Sequence, residues 1–105
     1  MEEEQNMTTY TSIRHYNVKP DSTSEIIQRT EKGFLPIVSK APGFVSYDMV
    51  DTGTDTVTTI STFENQAGAD HSNKLAESWV NENLTSFLTS PPVIMSGRVG
   101  IHQAR

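Results

Sequence analysis

Between Phe63 and Leu88 the chain reads FENQAGADHSNKLAESWVNENLTSFL, its longest run with helical spacing and the stretch that carries its only tryptophan, Trp79. Ala69, Leu75, Ala76, Trp79, Val80, Leu84, Phe87 and Leu88 recur at three- and four-residue steps, which stacks them along one side of a helix. An apolar side of that length has to be covered, and the rest of the chain offers short Thr- and Val-rich strand candidates as the cover. A helix lying on a sheet is the frame into which the other segments must fit.

Tyr10 to Val18 (YTSIRHYNV) is rich in β-branched and aromatic residues and reads as the first strand. Alternation puts Tyr10, Ser12, Arg14 and Tyr16 on one face and Thr11, Ile13 and His15 on the other, so the strand is expected to be covered on both sides. Lys19-Pro20-Asp21-Ser22 breaks it, and Asp21 or Ser22 is placed to cap the next helix, Ser22 and Glu25 having capping-box spacing. Ile26, Ile27, Thr30, Gly33, Phe34, Ile37 and Val38 keep one stripe. The helix then either runs past Gly33 and loosens at Pro36, or breaks at Gly33 before a short turn, given the cost of ~3 kcal/mol for an interior proline.

Ala41-Pro42-Gly43 is a turn signal, followed by a strand from Phe44 to Val50, a loop from Asp51 to Asp55 and a partner strand from Thr56 to Phe63. Glu64 or Asn65 opens the long helix, which bends or restarts near Asn81 to Asn83; Ser90-Pro91-Pro92 ends it, and Val93 to His102 is the last strand. Strand, helix, strand, strand, helix, strand is an α+β, ferredoxin-like βαββαβ order: a four-stranded antiparallel sheet with two helices on one face. The opposite face would bear apolar side chains in water, so pairing of two sheet faces in a homodimer is expected.

The 105 residues fit one domain, 10–105, behind a polar acidic tail over 1–9 that supplies three units of the net charge of −5 through Glu2, Glu3 and Glu4. With no cysteine there is no disulfide, thiolate site or cysteine nucleophile. The eight Lys and Arg are scattered, so no basic stripe points to nucleic acid. No apolar run approaches the ~20 residues of a membrane span. A cytoplasmic location is the expectation, which makes the sequons at Asn6 and Asn83 chance matches. Asp48, Asp51 and Asp55 around Gly53 suit a turn better than a calcium loop. His15, His71 and His102 lack metal-ligand spacing, so neither metal nor cofactor is expected.

A wheel at ~100° per residue places Ser72 and Asn83 inside the apolar arc near Trp79 and His71 at its rim. Asp70-His71-Ser72 is not a triad, because adjacent helical residues do not face one another. Trp79 and Tyr47 are candidates for the wall of a ligand site, and equally for plain core. Arg14 and His15 are more telling, since a cation in a strand covered on both sides needs a partner: a salt bridge at the dimer seam or a ligand anion. Tyr16, on the same face as Arg14, is placed to donate a proton or hold a phenolic substrate.

Arg14 and Tyr16 in the first strand, the Ala41-Pro42-Gly43-Phe44 turn before Tyr47, Phe63-Glu64 leading into a helix with Trp79, and Ser96-Gly97-Arg98-Val99 resemble the antibiotic biosynthesis monooxygenase-like family from about Tyr10 to His102. The resemblance implies a ferredoxin-like monomer paired as a dimeric α/β barrel. Some relatives oxidise aromatic polyketides without metal or flavin, and others degrade haem. The polyketide oxygenases use a helix tryptophan, an asparagine one turn before it and an arginine near the last strand. Trp79 matches the first, Leu75 stands where the asparagine would be, and Arg98 is a loose match for the arginine. The haem-degrading pattern needs a histidine after the tryptophan, whereas His71 precedes it.

Two functions follow. One is a cofactor-independent oxygenase in which Arg14, Tyr16 or His71 polarises an aromatic or enolisable substrate, with Trp79, Tyr47, Ser72, Asn83 and Arg98 around it. The other is a non-catalytic dimeric barrel that binds a small hydrophobic ligand or serves a structural role. A cavity above ~300 Å³ lined by Trp79 with a convergent cation would mark a ligand site.

Overall fold

The computed structural model describes residues 8–105. The tail expected over 1–9 therefore falls mostly outside the described residues, as does the sequon at Asn6. Four strands, β1 (Tyr10–Asn17), β2 (Phe44–Asp51), β3 (Thr56–Phe63) and β4 (Val93–Arg98), form one antiparallel sheet in the order β2-β3-β1-β4. The main helices lie against one face, giving the α+β, ferredoxin-like architecture that the element order implied. No helix among the described residues is long and apolar enough to cross a membrane.

The first helical run is continuous and changes pitch twice: α1 (Thr23–Arg29), a π-helical turn (Thr30–Phe34) and α2 (Leu35–Val38). It does not break at Gly33, and it loosens one turn before Pro36 rather than at it. Proline has no N–H to give to a carbonyl four residues back, and the wider turn lets Pro36 fall in the first turn of α2, where no such bond is required. The capping box at Ser22 does not form: Ser22 is already helical (φ −96°, ψ −13°), its side chain makes no cap bond, and Asp21 takes a left-handed φ of 65° instead. The Lys19–Ser22 turn, closed by a 3.2 Å bond from the Ser22 N–H to the Lys19 carbonyl, starts the helix in its place.

The long helix, α3 (Gln66–Asn83), begins where the Asn65 side chain accepts the Gly68 N–H at 2.9 Å, a conventional N-cap. Leu84 leaves the helical region and a 3₁₀ turn (Thr85–Phe87) follows, so the run through Leu88 is a helix plus a turn. Strand β4 stops at Arg98, not His102: Arg98 pairs with Tyr10, the first residue of β1, and among the described residues Val99 alone beyond it finds a backbone partner, at Thr9.

On β1 the two faces differ. Ser12, Arg14 and Tyr16 are buried under the helices, while Thr11, Ile13 and His15 on the opposite face are half-buried, so within one chain only one side is covered. Across the uncovered face the register aligns Asp48, Ile60, Ile13 and Met95 in one row and Val50, Thr58, His15 and Val93 in the next. On the covered side one buried cluster gathers Tyr16, Val18, Ile26, Val57, Val80 and Leu84; a second gathers Phe34, Val38, Phe63 and Ala76. Trp79 packs against both.

The ring of Trp79 lies so close to the π-helical turn that a Cβ on Gly33 would sit 2.8 Å from its Cζ2. Gly33→Ala gains up to ~1 kcal/mol of helix propensity but incurs ~1–3 kcal/mol of overpacking. A net loss of stability is expected in urea unfolding followed by Trp79 fluorescence. Trp79→Phe placed in the Gly33→Ala background, followed by circular dichroism, should show the overpacking cost relieved.

Candidate functional site

Alternation along β1 sends Ser12, Arg14 and Tyr16 beneath α3, where an apolar cover would leave three polar side chains in need of partners. They find them in one another and in Asn73. The Arg14 Nε donates to the Tyr16 hydroxyl at 2.7 Å, and Nη1 reaches the Asn73 Oδ1 at 3.4 Å. The Ser12 hydroxyl donates to the same Oδ1 at 2.6 Å, and the Asn73 amide reaches Ser96 on β4 at 3.3 Å. Asn73 thereby ties α3 to two adjacent strands.

Arg14 is 4% exposed, yet no carboxylate among the described residues forms a salt bridge with it; the one such bridge among them is Arg29–Glu25, on the surface of α1. A guanidinium taken out of water and met only by neutral acceptors carries a desolvation cost of several kcal/mol that an anion would offset. Arg14 also stands at a boundary. On its inner side is a cavity of about 20 Å³ between sheet and helices, walled by Tyr16, Tyr47, Val57, Ala76 and Trp79 among others. On its outer side an open groove of about 730 Å³ runs between α3 and the Pro91-Pro92 segment, over Lys74, Glu77, Leu88 and Ile94. Arg14, Asn73 and Val80 border both spaces.

The space beside Trp79 is far below the ~300 Å³ that would mark a ligand site. Trp79 stacks at 5.6 Å on Phe34, which itself meets Tyr47 edge-on at 5.8 Å, and these rings fill the interior down to the volume of roughly one water. The space large enough for a ligand is the groove, which has the cation but not the tryptophan.

Of the residues singled out from the sequence, Arg14, Tyr16, Tyr47, Ser72 and Trp79 come together around the inner cavity. Ser72 is buried and spends its hydroxyl on the Ala69 carbonyl at 2.7 Å. His71, Asn83 and Arg98 are exposed and border neither space. Asn83 falls in the apolar arc by angle, but the helix ends there; its amide folds back onto the Trp79 carbonyl at 2.9 Å and Leu84 takes the inward place. Arg98 lies opposite Tyr10, four positions along β1 from Arg14. Asn73 and Ser12 were not among the sequence candidates. Ser12 was legible in the alternation with Arg14 and Tyr16, and Asn73 in its i, i+3, i+7 relation to Ala76 and Val80.

The family model described as antibiotic biosynthesis monooxygenase matches residues 9–78. Solved structures with the same fold include a protein of unknown function from Nitrosomonas europaea (19% identity, TM-score 0.79, covering 95% of this chain and 97% of that one). A conserved protein from Methanosarcina mazei Go1 aligns at 15% identity with a TM-score of 0.72 over 90% and 96%. A monooxygenase from Streptomyces coelicolor, in complex with nanaomycin D, aligns at 19% identity with a TM-score of 0.68 over 99% and 100%. No curated protein sequence matches the chain.

Tyr47 gives the site a titration signature. Burial of the phenol, and then the field of Tyr16, raises its pKa above the ordinary value of about 10, against weaker downward pulls from a hydrogen bond with Thr59 and the charge of Arg14. The fold favours the neutral phenol. A pKa raised on folding contributes stability that is complete below the unfolded value and is lost as pH rises from there through the folded value, since the unfolded chain gives up its proton first. Urea titrations from about pH 9 to 11 should find wild-type stability falling by up to ~1.4 kcal/mol per pH unit more steeply than that of Tyr47→Phe above pH ~10. Parallel curves would mean that burial leaves this phenol unperturbed.

Proposed function

The chain belongs to the antibiotic biosynthesis monooxygenase family, and from that premise we propose that it is a homodimeric, cofactor-independent oxygenase acting on an aromatic or enolisable metabolite. The observation that carries the reading is Arg14: a buried guanidinium with no carboxylate partner among the described residues, at the seam between a ligand-sized groove and the protein interior. The nanaomycin D complex of the Streptomyces coelicolor neighbour lends support to a small organic ligand on this fold.

In this reading the substrate lies in the groove with a carbonyl or phenolic oxygen turned to Arg14. Loss of a proton from the adjacent carbon to groove water gives an enolate, whose oxygen anion the guanidinium stabilises where the developing charge is largely shielded from solvent. The carbanion end reduces dioxygen and forms a carbon–oxygen bond. Protonation of the peroxide and loss of water turn a CH₂ into a carbonyl, so one oxygen atom enters the product and the other leaves as water. Groove water protonates the peroxide; Tyr16, accepting from the Arg14 Nε, holds the guanidinium in place, and Trp79, Tyr47 and Ser72 back the site from inside. His71, Asn83 and Arg98 take no part.

The dimer forms through the uncovered sheet face, where Val50, Val93 and Met95 are 41%, 56% and 57% exposed. Pairing two such faces is the economical way to remove those side chains from water. Sedimentation should return twice the monomer mass for the wild type and a monomer for Met95→Glu; a wild-type monomer at micromolar concentration would exclude the paired-sheet arrangement.

A second reading, a non-catalytic barrel with a structural role, is favoured by the nearly filled interior around Trp79. Oxygen uptake separates the two. Against hydroxyquinones and anthrones the wild type should consume oxygen, Arg14→Gln should lose ~10²-fold or more of kcat/KM and Trp79→Phe rather less. Uptake from no substrate would leave the non-catalytic barrel standing.

A further inference from the structure

The inner cavity is too small for an organic ligand, and its wall is nearly all carbon although several polar residues border it. Three of those residues spend polar atoms on neighbours in the wall. Thr30 donates to the Ile26 carbonyl at 2.8 Å, Ser72 to the Ala69 carbonyl at 2.7 Å, and the Tyr16 oxygen accepts from Arg14 at 2.7 Å. What remains facing the space is Val57, Met49, Ala76, Phe34 and Val80. A water needs two to four hydrogen-bond partners to stay in such a place, and apolar cavities that lack them remain dry and take up nonpolar gases.

The cavity has a neighbour on each side. Through Arg14, Asn73 and Val80 it adjoins the groove, and through Thr30, Tyr47 and Met49 it adjoins a shallow depression of about 180 Å³ beside the π-helical turn. The geometry points to a second, separate site: a dry pocket for one small apolar gas molecule, which holds dioxygen behind Arg14 while the organic substrate occupies the groove. This assignment to dioxygen rests on the oxygenase reading above. The depression by Met49 and Thr30 gives the gas an entry that the substrate does not block. Dioxygen placed there meets the carbanion from the protein side, accepts its electrons with formation of the carbon–oxygen bond, and leaves the cavity as part of the peroxide.

Crystals pressurised with xenon test the pocket without any substrate. One xenon site bounded by Val57, Met49 and Ala76 is expected in the wild type, and none in Val57→Ile or Ala76→Val, each of which fills the space; two variants on different elements guard against one failing to fold. An ordered water in the wild-type cavity, or no xenon there, would overturn the proposal. In oxygen-uptake kinetics both variants should raise the KM for dioxygen about fivefold while the KM of the organic substrate stays put. An unchanged KM for dioxygen would overturn the assignment to dioxygen and leave the oxygenase intact. Xenon bound with no oxygen uptake would sink the oxygenase reading and the assignment to dioxygen with it, and uphold a dry gas pocket.

Discussion

Trp79, half-buried on α3, packs against the first helical run and against both halves of the core. Phe34 leans on it at 5.6 Å, Gly33 gives up its side chain to let it in, and both buried clusters end against it. The close approach fixes more than packing. A helix that kept α pitch as far as Pro36 would carry an unsatisfied carbonyl where the proline N–H is missing; the π-helical turn absorbs that defect and sets Gly33 facing the indole. One large side chain, one glycine and one proline thus decide how far the first helical run stands from α3.

Because the rings fill the interior, the polar row of β1 cannot be a deep site. Of Ser12, Arg14 and Tyr16, Arg14 lies where the apolar filling stops and the groove begins, and Asn73 ties it and Ser12 to α3. Among the described residues Arg14 is met by the neutral partners Tyr16 and Asn73, with no carboxylate to balance its charge. The groove supplies volume and the interior supplies stiffness.

Much of this was legible in the sequence because it depends on period and punctuation. The 3.6-residue stripe from Ala69 to Leu84, the alternation through Arg14 and Tyr16, and the Ala41-Pro42-Gly43 turn each encode local geometry that tertiary packing had no reason to override. Boundaries were less legible, since the end of β4 at Arg98 is set by where β1 runs out, a fact about another segment. The inward or outward fate of Asn83 depended on the helix ending beneath it, and an angle on a wheel carries no information about length. Cavity size was not legible at all: it follows from how three aromatic rings tilt against one another.

The residue types that the family resemblance placed beside the tryptophan are present, at other backbone positions. Leu75 occupies the place one turn before Trp79 and packs into the core, while an asparagine appears at position 73 instead, pointing to β1 rather than along the helix. Arg98 is exposed at the end of β4, while the buried arginine comes from the centre of β1. Asn73 and Arg14 meet each other at 3.4 Å. A site defined by which groups meet, rather than by which positions carry them, can move one strand across a sheet while keeping its amide and its cation, because the sheet holds adjacent strands within ~5 Å of each other. In this chain the buried cation stands at the centre of β1, covered by α3 and bordering the groove, while Arg98 is exposed at the end of β4.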